Sequence, residues 1–142
     1  FATSVEEAVK LRVQLGEIHE KQLRDFETAI DNFSAALSGD PRNATALSAV
    51  ERYLIDPDLR VVAAEVLEPI YVSQHRWKDL IRVWEARLES TTDPKDRLRL
   101  TRFIARLYEE QLEDLEHASI WYAKVFRERR PWPAAVRVPA VS

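Results

Sequence analysis

The sequence predicts an all-α protein built from antiparallel helix hairpins, about seven helices in all, and three observations carry that prediction. Only two glycines occur in 142 residues, β-branched runs and strict alternation are missing, and Ala, Leu, Glu and Arg abound, which favours helix over strand. Apolar residues recur at three-and-four spacing between breaks at Gly39-Asp40-Pro41, Asp56-Pro57 and Asp93-Pro94. Finally, one stretch returns. Glu20-Lys21-Gln22-Leu23-Arg24-Asp25-Phe26-Glu27-Thr28-Ala29 is matched in order by Glu109-Glu110-Gln111-Leu112-Glu113-Asp114-Leu115-Glu116-His117-Ala118, an offset of 89 residues from Ala29 to Ala118.

The first helix is expected to start after Thr3 or Ser4, whose hydroxyls can cap it, and to reach about Gln22, with Val9, Leu11, Val13, Leu15 and Ile18 as its apolar content. The second runs from about Asp25 to Ser38, with Gly39 as its stop and Asp40-Pro41 barring continuation. A short third helix spans about 43–55 and carries Ala46, Leu47, Val50 and Leu54. The fourth, from about Asp58 to Ser73, contains Pro69, and an interior proline predicts a kink between Glu65 and Pro69. The fifth covers Trp77 to Glu89, the sixth Pro94 to about Gln111 behind an Asp93 cap, and the seventh Leu115 to Arg129. Residues 131–142 hold Pro131, Pro133 and Pro139 without helical period, so they read as a tail, with Trp132 as an indole outside any helix.

Within residues 15–41, Leu15-Gly16, then His19, Ala29, Phe33 and Pro41 follow the order Leu-Gly, aromatic, Ala, Phe, Pro. On these residues the chain resembles the tetratricopeptide repeat family. The resemblance implies a right-handed α-α superhelix over 1–130, with repeats at about 5–41, 58–90 and 94–129. The middle unit is degenerate, with Glu68 and Leu80 where the glycine and alanine would stand. Both outer copies have one more residue in the interhelix turn than the usual repeat. Leu15 to Leu67 is 52 residues, whereas Leu67 to Ile104 is 37, so the helix at 43–55 is surplus. It is either an insertion packed crosswise between repeats, the favoured reading, or a partner for the fourth helix that shifts the alternation.

Composition excludes several function classes. A net charge of −3 gives no reason to expect nucleic acid, and no apolar run approaches the roughly 18 residues of a membrane span, so a soluble chain with no membrane partner is expected. Without cysteine there is neither disulfide nor thiolate metal site, which suits a reducing compartment, the cytoplasm foremost. A chain that begins at Phe1 and has no methionine is expected to be a segment or a processed product.

No cofactor is expected. His19-Glu20 opens like a zinc-binding helix motif, but Leu23 stands where the second histidine belongs. There is no nucleophile elbow and no phosphate-cradling glycine loop, so no enzyme is expected. Asp56-Pro57-Asp58 reads as a helix break with a cap rather than a cation loop. The two glycosylation patterns, Asn32-Phe33-Ser34 and Asn43-Ala44-Thr45, are discounted. Trp77, Trp84, Trp121, Tyr122, Phe33, Phe103 and Phe126 read mainly as core aromatics at helical spacing.

What remains is an interaction module. The resemblance implies a concave groove lined by the first helix of each hairpin, and it places Lys10, Glu17 and Lys21, then Glu65, then Arg99, Arg102, Phe103 and Arg106 there as partner-binding residues. The arginines share one face at spacings of three and four. They suit an acidic or phosphorylated protein or peptide, or else pair internally with Glu109, Glu110 or Glu113. The alternatives are a spacer within a longer array, self-association through the ends, or a regulatory domain of a larger enzyme.

Overall fold

The computed structural model describes residues 2–129, with side chains from Ser4 on; the stretch 131–142, Trp132 included, lies outside the described residues. Seven α-helices follow one another: α1 Ala2–Lys21, α2 Phe26–Gly39, α3 Ala44–Arg52, α4 Arg60–Ser73, α5 Trp77–Glu89, α6 Pro94–Glu110 and α7 Leu115–Arg129, with a 3-10 turn at Tyr53–Ile55 after α3. Among the described residues there is no strand. The chain divides into two compact units, residues 1–90 and 91–142.

The two copies of the repeated stretch fold alike down to single hydrogen bonds. In the first turn Leu23 N–H donates to Ile18 O at 3.1 Å and Asp25 N–H to His19 O at 2.8 Å; in the second Leu112 N–H donates to Leu107 O at 3.1 Å and Asp114 N–H to Tyr108 O at 2.8 Å. Each following helix is capped by the aspartate. Asp25 accepts from Thr28 N–H at 3.2 Å and from its hydroxyl at 2.7 Å, while Asp114 accepts from His117 N–H at 3.1 Å and lies 2.7 Å from its Nδ1. These bonds hold the Asp25 carboxyl below the usual carboxylate range, first through the Thr28 hydroxyl. The middle turn is one residue tighter, since Arg76 N–H reaches Tyr71 O, and no side chain caps α5. The extra turn residue that the repeat predicts is therefore real.

Several helix ends differ from expectation for local reasons. α1 already begins at Ala2, so Thr3 and Ser4 lie inside it and cannot cap it. α4 starts at Arg60 rather than near Asp58 because Asp56 takes both roles there: its carboxylate accepts Asp58 N–H at 2.9 Å and its carbonyl accepts from Leu59 and Arg60. Asp93 stands at the N-cap of α6 without a side-chain cap bond. Gly39 belongs to the last turn of α2 and does not adopt a left-handed conformation. It is there for space, since a Cβ would meet Val9 Cγ2 at 2.7 Å. Pro69 does not interrupt α4. The Glu65 carbonyl that loses its donor belongs to an exposed residue, where water can replace the missing bond.

In the first unit α1 packs on α2, α2 on α3, and α4 on both α3 and α5. Gly16 makes the first contact possible: a Cβ there would stand 2.7–2.9 Å from three ring carbons of Phe33, itself fully buried. Only Val9 of the apolar residues expected to seat α1 is in the core; Leu11, Leu15 and Ile18 are exposed. The helix has two apolar faces, and Gly16 fixes the other one as the packed face. The surplus helix α3 packs between α2 and α4 and is tied to α1 by Arg52 on Glu20 at 3.0 Å and to α5 by Arg82 on Glu51 at 3.2 Å. Its neighbours α2 and α4 are the two helices that flank it in the chain.

A buried arginine finishes α3 where no cap exists. Arg60 Nε donates to Leu54 O at 2.7 Å, Nη2 to Ile55 O at 3.3 Å and Nη1 to Ser90 Oγ at 2.9 Å, with Glu89 3.5 Å away. It thereby satisfies carbonyls that the end of the 3-10 turn leaves without partners. In the second unit the buried residues are Thr101, Ile104 and Ala105 of α6 against Ala118, Trp121 and Val125 of α7.

Candidate functional site

Open hollows lie on the first unit among the described residues. The first, about 370 Å³, lies along α1 and is lined by Gln14, Glu17, Ile18, Lys21 and Gln22. A second, about 340 Å³, lies between α1 and α3, with Glu17, Lys21 and Arg52 around the small residues Ala44, Thr45, Ser48 and Ala49, and Phe33 among its lining. Glu65 belongs to a third, about 320 Å³, between α2 and α4 with Ser34, Leu37, Val62 and Pro69. The structure thus brings Glu17 and Lys21 together and sets Glu65 on a different surface. Glu65 lies on α4, which packs on α3 and α5, whereas Glu17 and Lys21 lie on α1, which packs on α2. Lys10 is exposed on α1, one helical step of four, three and four from Gln14, Glu17 and Lys21.

In the second unit Arg99, Arg102 and Arg106 form an exposed row on α6, with Phe103 at its side, 38% exposed. Arg99 reaches Asp96 at 3.0 Å and Arg106 reaches Glu110 at 3.8 Å, both within the helix and both open to solvent. Such pairs are worth a few tenths of a kcal/mol, about 0.3–0.5 at most, and exchange readily. Arg102 has no partner among the described residues. The internal pairing weighed as an alternative therefore occurs in part, with Glu110 and Asp96 rather than Glu109 or Glu113.

The aromatic set divides. Phe33 and Trp121 are core, and Lys124 Nζ stands 3.9 Å from the Trp121 ring centroid. Trp77 and Trp84 are half-buried, with Trp77 stacked on His75 at 5.2 Å, whereas Phe103, Tyr122 and Phe126 are exposed. His19 is half-buried in the last turn of α1, its Nδ1 3.9 Å from Asp25 and without a hydrogen bond. Its equivalent Tyr108 stacks on His117 at 5.0 Å. Among the described residues no group of three or more metal-ligating side chains comes together. No helix of the described residues is long and apolar enough to cross a membrane. Asn32 is buried and engaged by Arg12 at 3.1 Å, and Asn43 caps α3 through Ala46 N–H at 3.0 Å, so both asparagines of the glycosylation patterns have structural roles.

A recurring polar device holds the first unit together, and the sequence reading missed it. Glu20 at the end of α1 accepts the Tyr53 phenol at 2.8 Å and the Arg52 guanidinium at 3.0 Å. Glu51 of α3 accepts the Tyr71 phenol and Arg82 in the same way. In the second unit Glu109, equivalent to Glu20 in the 89-residue offset, accepts the Tyr122 phenol at 2.6 Å. The partners of Glu20 and Glu51 lie 20 to 33 residues away, so no local spacing marks them. Burial first, and then the hydrogen bond to Glu51, raises the Tyr71 phenol well above its ordinary range; Tyr53 is raised by burial and then by Glu20.

A phenol whose value is raised in the fold adds stability that is complete below its unfolded value, about 10, and is lost as pH rises beyond it. The melting temperature is therefore expected to hold up to about pH 10 and to fall steadily as pH rises above it. Tyr71→Phe should begin lower, by about 1 kcal/mol for the lost hydrogen bond, and then show a shallower decline. Melts followed by circular dichroism at a series of pH values decide this; parallel curves for the two proteins would disprove it.

The chain matches no family model, no curated protein and no solved structure. What the surfaces can do has to be argued from the surfaces alone.

Proposed function

We propose that the hairpins are tetratricopeptide-like repeats and that the chain is a non-catalytic interaction module that takes an acidic segment of a protein along α6. Arg102 carries this reading. It is an exposed guanidinium with no partner among the described residues, flanked at spacings of three and four by Arg99 and Arg106, whose local acids are exposed and cost little to displace. Together they present three forked donors along one face, which suits bidentate contact with carboxylates or phosphate. Phe103 beside them adds apolar surface for the same segment. The right-handed superhelix belongs to the same proposal; the Gly16–Phe33 approach and the two identical turns support it.

The test is titration of a fluorescent Glu- and Asp-rich peptide into the chain. Binding should weaken at least about tenfold in the Arg99→Glu/Arg102→Glu double variant and fall with added salt, while helicity stays unchanged. Equal affinity of the two proteins would remove the proposal.

A further inference from the structure

α1 has two apolar faces, and the chain covers one of them. On the open face Leu11 is 58% exposed, Leu15 42% and Ile18 44%. With Ser4, Ala8 and Gln22 they follow the alternating spacing 4, 8, 11, 15, 18, 22, the seam of a two-stranded coiled coil, and no member of it is charged. The positions that correspond in the second copy are Leu100, Ile104 and Leu107. There Ile104 is fully buried and the two leucines are half-buried. The same type of seam is thus covered where it occurs a second time.

We propose that the α1 seam is the interface of a symmetric dimer, packed antiparallel against α1 of a second copy of this chain. The charges beside the seam choose that occupant. Glu7, Gln14 and Lys21 run along one flank at intervals of seven, all three exposed and all three without a partner among the described residues. A two-fold axis level with Val13 at the centre of the seam brings Glu7 of each copy beside Lys21 of the other on this flank, and Gln14 beside its own equivalent. A parallel pair would instead turn Glu7 toward Arg12 of the other copy, a guanidinium already held by Asn32 of its own chain at 3.1 Å, and would leave Lys21 without an acid. In the antiparallel register Leu11 lies opposite Leu15 and Ala8 opposite Ile18, so each large residue has an apolar neighbour. On the other flank Arg12, the residue that would face its own equivalent, is turned onto Asn32 of its own chain at 3.1 Å. The seam uses no residue of the α6 row, so dimerisation and peptide binding can fail independently.

The chain contains no cysteine, so a single introduced thiol reports one position. A short bis-maleimide should join Gln14→Cys into a covalent dimer well ahead of Asp31→Cys on the exposed side of α2. Sedimentation velocity up to about 200 µM should show a dimer for the natural sequence and a monomer for Leu15→Glu with its helicity intact. Lys21→Glu should weaken association at least about tenfold, and Glu7→Lys/Lys21→Glu should restore it. A monomer throughout, equal cross-linking at positions 14 and 31, a dimer that survives Leu15→Glu, or a charge swap without rescue would each overturn the proposal. The last three outcomes would assign association to another surface or to the parallel arrangement.

Discussion

Replacing Arg60 by methionine is expected to lower the unfolding free energy of the first unit by about 2–4 kcal/mol, because the change leaves one buried and two part-buried acceptors without their donor. Methionine keeps much of the aliphatic volume, so the loss isolates hydrogen bonding from packing. Leu54 O, Ile55 O and Ser90 Oγ all lose a partner at once, and no other donor is recorded for either carbonyl. Arg60→Lys should fall between the two, since one ammonium cannot reach three acceptors that a planar fork spans. Glu89 is largely exposed, so Glu89→Gln should change little. Urea unfolding followed by circular dichroism measures all three variants. A methionine variant as stable as the natural chain would show that these carbonyls find other partners.

Phe33→Ala carries the other large expected loss, about 3–5 kcal/mol, since a fully buried ring leaves a cavity between α1 and α2. Gly16 tests the same contact from the opposite side. Alanine favours helix by about 1 kcal/mol over glycine, yet its Cβ would press on the Phe33 ring, and overpacking costs about 1–3 kcal/mol. A net loss of about 1 kcal/mol is expected for Gly16→Ala, reversed when Phe33→Leu is combined with it. The chain itself contains the comparison. At the offset of 89 the pair Gly16 and Phe33 becomes Ala105 and Tyr122, and where the small residue has gained a Cβ the aromatic has moved outward, half-exposed with its phenol on Glu109. Additive effects of Gly16→Ala and Phe33→Leu in denaturant unfolding would refute the coupling.

What could be read in the sequence was whatever depends on neighbours along the chain. The seven helices and the lengthened turns after Ile18 and Leu107 follow from residues within one or two turns of each other, and the close approach of Gly16 to Phe33 was legible from a small residue and an aromatic placed one hairpin apart. Helix starts went astray where an unexpected group took the capping role, as Asp56 did ahead of α4. The face that α1 buries could not be deduced from periodicity, because Val9 with Gly16 and Leu11 with Leu15 define two apolar stripes of similar merit. Only the ring of Phe33 decides between them. Arg60, Glu20 and Glu51 escaped notice for another reason: on paper each is an ordinary charged residue of a helical protein, and its role depends on partners that the fold delivers. The surroundings of the expected groove residues depend on the fold in the same way: Glu65 lines a hollow between α2 and α4, whereas Glu17 and Lys21 share one between α1 and α3.

Three of the interhelix turns, those after α1, α4 and α6, bear on how the chain reaches its structure. Arg24, His75 and Glu113 each sit in the left-handed region, at φ of 54°, 55° and 51°, where a glycine would be the easy choice. A side chain there carries a conformational cost of about 1–2 kcal/mol, so these turns are poor at forming in isolation. They become favourable only once the helices on either side have docked and the paired carbonyls and amides have closed around them. Corner formation therefore follows helix pairing, and each hairpin assembles as a unit, with little population of helices already aligned but not yet in contact.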